Sequence, residues 1–240
     1  DMFKGLEDLT RQGKPFSEFE SPMESRVIEG NIGYVKIFCQ SPTLTVPFPA
    51  RVLRRIVEGF KKANVQGVIL DLRGNSGGDD SLAATFAGHF TEKPLFFRNV
   101  VAFDDKKGGF ALKSGERLVV EPRTPTITGP VAVLIHRNTR DSGQAIASVL
   151  SSLPNVFIVG ALATEGSYAS GGGEITMPEG HKITYPTGRM LDEAGNILVT
   201  SGADMKNRVT PAVRVPFTFE NLDLFFNRGS DPVLDKAIAE

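Results

Sequence analysis

Apolar positions along this chain recur in two rhythms, and each predicts a different kind of element. In residues 51–64, Val52, Leu53, Ile56, Val57, Phe60 and Ala63 fall at helical spacing while Arg51, Arg54, Arg55, Glu58, Lys61 and Lys62 fill the opposite side. That pattern predicts an amphipathic helix with a solvated basic face, introduced by Pro47 and Pro49. By contrast, Gly67–Leu72 (GVILDL) is a short, nearly continuous apolar run, which is how a strand covered on both faces reads. A glycine-rich turn at 74–78 follows it, and then Leu82, Ala83, Phe86, Ala87 and Phe90 mark a second helix. The same unit recurs downstream. Val131–Ile135 predicts a buried strand, Ala145, Ile146, Val149 and Leu150 line a helix, and Val156–Val159 predicts the next strand. Such strand–helix–strand crossovers need a parallel sheet with helices on its faces.

The remaining stretches are read more coarsely. Residues 1–30, with Phe3, Phe16 and Phe19, predict a helix and an extended lead-in; a strand follows over 30–38. Leu95–Phe103 predicts a strand, and the charged stretch 104–117, with Gly108 and Gly109, a solvated loop or hairpin tip. Short alternating segments at 174–177, 182–185 and 212–217 precede a closing helix over 231–240, whose Asp231-Pro232 start is an N-cap followed by proline.

Composition narrows the function classes. A chain of 240 residues with 40% hydrophobic and 23% charged residues fits one large globular domain, or one domain with a small appendage. A net charge of -1 with no basic stripe argues against nucleic acid and against an anionic membrane surface. No apolar run approaches the ~18 residues of a membrane span. The single cysteine, Cys39, reads as a small buried hydrophobe, and the scattered His89, His136 and His181 give no metal-ligand spacing, so neither a metal nor a cofactor is expected.

Two strand-to-helix junctions carry candidate chemistry. In Asp71-Leu72-Arg73-Gly74-Asn75-Ser76-Gly77-Gly78, glycines before a helix N-terminus can turn backbone N–H groups toward one point, making a nest for an anion. A tight structural turn would look the same, and the phosphate-loop ending is absent. In Thr139-Arg140-Asp141-Ser142-Gly143-Gln144, Asp141 followed three residues later by Gln144 predicts a capping box, the carboxylate accepting from the N–H of Gly143 or Gln144. A hydroxyl at the same turn would be placed as a nucleophile. Both turns follow the carboxyl ends of strands, so they are expected to meet in one cleft.

This pair of junctions resembles the C-terminal processing, or tail-specific, serine peptidase family. The family motif D-L-R-x-N-x-G-G is matched from Asp71 to Gly78, and its T-x-S-S-G-E motif in part from Thr139 to Gln144. In the same order come a glycine-rich stretch after Ile158-Val159-Gly160, a turn at Met177-Pro178-Glu179-Gly180, Val209–Val215, and Asp231-Pro232-Val233-Leu234. The resemblance covers about residues 30–240. It implies a crotonase-like α/β core with a mostly parallel sheet, flanking helices and a small β-rich appendage. It further implies a lead-in over 1–30, a catalytic-type domain over 31–240 with no spare length for the family's PDZ domain, an exported setting, and a peptide or unfolded-protein C-terminus as partner.

The resemblance fails where the chemistry should be. Asp141 stands at the family's nucleophile position, Ser142 is its neighbour, and no lysine lies between Lys113 and Lys182 to complete a serine–lysine dyad. Two readings follow. In one, Ser142 is a displaced nucleophile, the N–H groups of Gly77, Gly78 and Ser142 form the oxyanion hole, and Glu165, His136 or His181 assists. In the other, the site binds a peptide or a small apolar ligand without cleaving it, as retinoid-binding members of the fold do. Ser167 and Ser170 read as loop serines. A crotonase-type acyl-CoA enzyme would share the nest but not the ordered motif series.

Overall fold

The structure, a computed structural model, describes residues 21–113, 116–170, 172–198 and 208–240; the helix expected near Phe3, Phe16 and Phe19 lies outside them. The chain runs β1 (Met23–Ile28), β2 (Ile32–Ile37), α1 (Pro49–Lys62), β3 (Val68–Asp71) and α2 (Asp80–Ala87). Then come β4 (Leu95–Asp104), β5 (Gly109–Leu112), β6 (Leu118–Val120), β7 (Val131–Leu134), α3 (Ser142–Leu150) and β8 (Val156–Gly160). Four short strands follow: β9 (Ala169–Ser170), β10 (Gly173–Thr176), β11 (Lys182–Tyr185) and β12 (Gly188–Leu191). The course ends with β13 (Val213–Arg214), α4 (Phe219–Asn227) and α5 (Pro232–Ala239).

The principal sheet has the order β1-β2-β3-β7-β8-β13. Every pairing in it is parallel except β1 with β2. Helices flank it on both sides, so the molecule is an α/β fold with a mostly parallel sheet. The continuous apolar runs have their explanation here, because alternate residues serve different cores. Val68 and Leu70 of β3, with Val131 and Val133 of β7, face the core that holds Leu53, Val57 and Phe60 of α1, Phe86 of α2 and Ile146 of α3. Ile69, Ala132 and Leu134 face the other core, against Ala237 of α5. Each buried Val, Leu, Ile or Phe among them contributes about 1.5–3 kcal/mol. Residues 23–28, read from sequence as part of a lead-in, supply an edge strand and so belong to the main sheet. Cys39 is a buried free thiol.

A second, antiparallel sheet gathers β4, β5, β6, β9 and β12, and a separate ribbon pairs β10 with β11. Of the stretch 104–117, residues 105–108 form the hairpin tip expected, and 109–112 form β5. Phe97, Val100 and Met190 pin the second sheet to the larger core.

One buried network ties the site to the last helix. Asp71 is fully buried, takes three hydrogen bonds from the Arg73 side chain at 2.7–3.1 Å, and accepts the Tyr34 phenol at 2.8 Å. Arg73 also reaches Asp231 at 2.7–2.8 Å, while Asp231 caps α5 through the Leu234 N–H. Burial alone would raise the Asp71 carboxyl, but Arg73 and then Lys36 outweigh it and hold it well below the usual carboxylate range.

Candidate active site

The turn after β3 is shaped by Asn75, which is fully buried. Its Nδ2 donates to the Ile37 carbonyl at 2.8 Å and its Oδ1 accepts the Gly77 N–H at 2.9 Å. The Gly77 N–H, one of the oxyanion-hole donors expected from the sequence, is thus engaged inside its own turn. Gly78 follows with φ +145°, packed on the Gln40 backbone, and it is the glycine that opens to solvent. A side chain on Gly77 (φ +91°) would collide with the Asp141 carboxylate, so the two turns do lie against each other.

The second turn is tied to the first. The Thr139 hydroxyl donates to the Leu72 carbonyl at 2.8 Å, and the Arg140 N–H donates to the Asn75 carbonyl at 3.1 Å. Asp141 then adopts φ +52°, ψ -135°, a conformation that only glycine enters without strain. This rotates its side chain away from its own helix, and the expected capping box does not form. The N–H groups of Gly143 and Gln144 bond the Arg140 carbonyl instead. Gln144 sends its Oε1 outward to accept the Gly166 N–H at 2.8 Å. The Asp141 carboxylate crosses to the other turn and accepts the Gly78 N–H at 3.3 Å.

Burial raises the Asp141 carboxyl above its ordinary value, against the lowering pull of the Gly78 N–H and then of the Ser142 N–H. The charge of Asp80 raises it further. Asp80 is itself raised by burial and held by Arg98. The buried Tyr168 phenol lies close enough to both aspartates for their charges, Asp80 first, to raise it after burial has done so. Sequence reasoning missed this group. Asp80 and Arg98 are ordinary surface letters in a sequence, and only the fold brings them beneath Asp141.

Ser142 sits 0% exposed in the first turn of α3, with its Oγ donating to Gln40 Oε1 at 3.0 Å. Its hydroxyl therefore faces the core, and among the described residues no base is hydrogen-bonded to it. Glu165 turns to Arg140 (3.8 Å) and to the Ser167 hydroxyl (3.0 Å). His136 accepts the Asn138 N–H through Nδ1, and burial followed by the charge of Arg73 lowers its pKa to about 4. His181 stands on the exposed turn of the β10–β11 ribbon. None of the three candidate helpers reaches Ser142. The side chain of Ser170 lies outside the described residues. Among those residues, no group of three or more His, Cys, Asp or Glu is placed to hold a metal ion. No helix among them is long and apolar enough to cross a membrane.

Comparison with known proteins agrees with this architecture. The carboxy-terminal processing protease CtpA of Bacillus subtilis is 28% identical over 136 residues, which is 57% of this chain and 26% of CtpA. The nisin-resistance protein of Lactococcus lactis is 28% identical over 141 residues, 57% of this chain and 44% of that protein. The chain thus spans less than half the length of either. A crystal structure from Parabacteroides merdae superposes with a TM-score of 0.70 at 19% identity, covering 98% of this chain and 69% of that one, a likeness of fold. The model for peptidase family S41 matches residues 31–212, most of the molecule and both turns of the site, and the chain belongs to that family.

Proposed function

We propose that this chain binds extended peptide segments or unfolded-protein C-termini in the cleft between its two turns and does not cleave them. One observation carries the reading. The Asp141 carboxylate occupies the Gly78 and Ser142 N–H groups, the donors that would stabilise a tetrahedral oxyanion. An ionised group there repels a second developing anion, and an amide carbonyl is a poor target for a carboxylate. Ser142, turned into the core on Gln40 without a base, is an unactivated hydroxyl. One candidate seat for the small-apolar-ligand variant of the non-cleaving reading is too small for it. The apolar cavity between α4, α5 and the end of β7 measures about 40 Å³, room for little more than water. The family resemblance supports a crotonase-like description of the core and an exported setting.

The test uses an unfolded protein substrate and a C-terminal peptide, with the wild type and with Ser142→Ala. The expected result is no cleavage above buffer by either, with peptide binding retained by both. Robust cleavage that disappears on Ser142→Ala would make Ser142 the nucleophile and overturn the reading.

A further inference from the structure

A cavity of about 350 Å³ opens beside α3, starting at Gln144 and Ala145 in the helix's first turn and continuing past Ser148 and Val149. Tyr168 joins it to the aspartate-lined turn. Phe97, Val149, Leu198 and Val209 give it apolar walls. Among the described residues its lining carries one charged group, Arg208, which makes no ion pair or hydrogen bond with another of them.

Arg208 is held in place from both sides. The segment carrying it is strapped to the buried Thr164, whose N–H donates to the Val209 carbonyl at 3.1 Å and whose Oγ1 accepts the Val209 N–H at 3.0 Å. The arginine stem lies flat on Gly166, where a Cβ would stand 3.0 Å from Nε and 3.1 Å from Cγ. Gly166, at φ +90°, is fixed in turn by its N–H bond to Gln144. The helix that begins at the aspartate site therefore also sets the position of this arginine.

We infer that this cavity is a specificity pocket for a carboxylate-bearing residue of the bound peptide, with Arg208 as the residue that selects it. A guanidinium with no partner among the described residues, in a partly apolar wall, favours a carboxylate through paired, charge-assisted hydrogen bonds. The field of the cleft acts in the same sense. Asp141 makes one end negative, Asp80 being paired with Arg98, so a ligand carboxylate is driven toward the Arg208 end and the peptide acquires a direction. The choice of a peptide as ligand rests on the peptide-binding reading; the pocket's preference for a carboxylate does not. The carboxylate can come from an acidic side chain or from a free C-terminus.

The experiment separates these points. The α-amides of N-acetylglutamate, with one carboxylate, and of N-acetylglutamine, with none, are titrated into the wild type, Arg208→Ala, Arg208→Lys and Gly166→Ala, followed by calorimetry or NMR shifts. Ala-rich peptides with one Glu or Gln, each with a free or amidated C-terminus, form the second arm. The wild type is expected to prefer acid over amide by about tenfold or more, the scale of one hydrogen bond to a charged group. Arg208→Ala should abolish the preference, Arg208→Lys keep part of it and Gly166→Ala weaken it. The peptide arm assigns the source, as whichever carboxylate carries the preference. Acid and amide binding alike, or a preference that survives Arg208→Ala, overturns the pocket. Small acids bound through Arg208 with no peptide bound would leave the pocket standing and remove the peptide reading. Binding of neither removes both.

Discussion

Asp141 combines a strained backbone, a partly buried charge and a hydrogen bond to the opposite turn in one residue. Its folded-state value is raised, and an acid so shifted opposes folding wherever it is ionised. The penalty is present above the folded value and vanishes as pH falls below the unfolded value near ~4. Asp141→Asn keeps the shape, the acceptor and a tolerance for positive φ, and removes only the charge. We expect it to raise stability at pH 7 by roughly 0.5 kcal/mol, a small gain because solvent still screens the carboxylate. The gain should disappear near pH 3, as urea unfolding at the two pH values would register. An unchanged or lower stability at pH 7 would contradict the view that this charge is carried at a cost.

The C-terminal helix α5 shows how a sequence signal and a long-range contact can meet in one side chain. Asp231 caps its own helix and also completes the Arg73 ion pair, 158 residues away. Asparagine caps as well as aspartate, so two substitutions divide the roles. Asp231→Asn should remove only the ion pair. Asp231→Ala should cost about 1 kcal/mol more, the worth of the cap, and should speed hydrogen exchange at Leu234. Equal losses in chemical denaturation would mean that the cap contributes nothing. The cap was legible in Asp231-Pro232; its partner was not. The same division runs through the fold. β3, β7, α1 and α3 could be read because burial on defined faces dictates their residues. α4 could not, because it has no buried residue and leaves Phe219 88% exposed, so its apolar spacing records no core. At the site, the motif letters located both turns. They could not reveal that φ at Asp141 turns a capping-box aspartate across the cleft, or that Asn75 takes the Gly77 N–H.

At the scale of the whole molecule, the buried ionisable groups on the α5 side of the sheet set the acid limit of the fold. His136 titrates at about 4 in the folded state against ~6.5 when unfolded. The unfolded chain therefore binds this proton first, and stability is lost as pH falls from ~6.5 to 4, by at most about 3 kcal/mol. Asp71 acts lower. Its depressed folded value gives stability that is fully present above ~4 and lost as pH falls further. We expect stability against pH to decline in two stages, the upper one flattened by His136→Asn; a single stage below pH 4 in the wild type would contradict the role given to His136. The Arg73–Asp231 strap has a further consequence for a chain made from one end. At roughly 5–20 residues per second of synthesis, the ribosome needs on the order of 8–30 seconds to travel the 158 residues from Arg73 to its second aspartate. The turn that carries Gly78 is thus among the earlier parts of the cleft to be translated and among the last to be secured, and until then a nascent-chain chaperone meets a half-paired guanidinium where the finished protein has a sealed one.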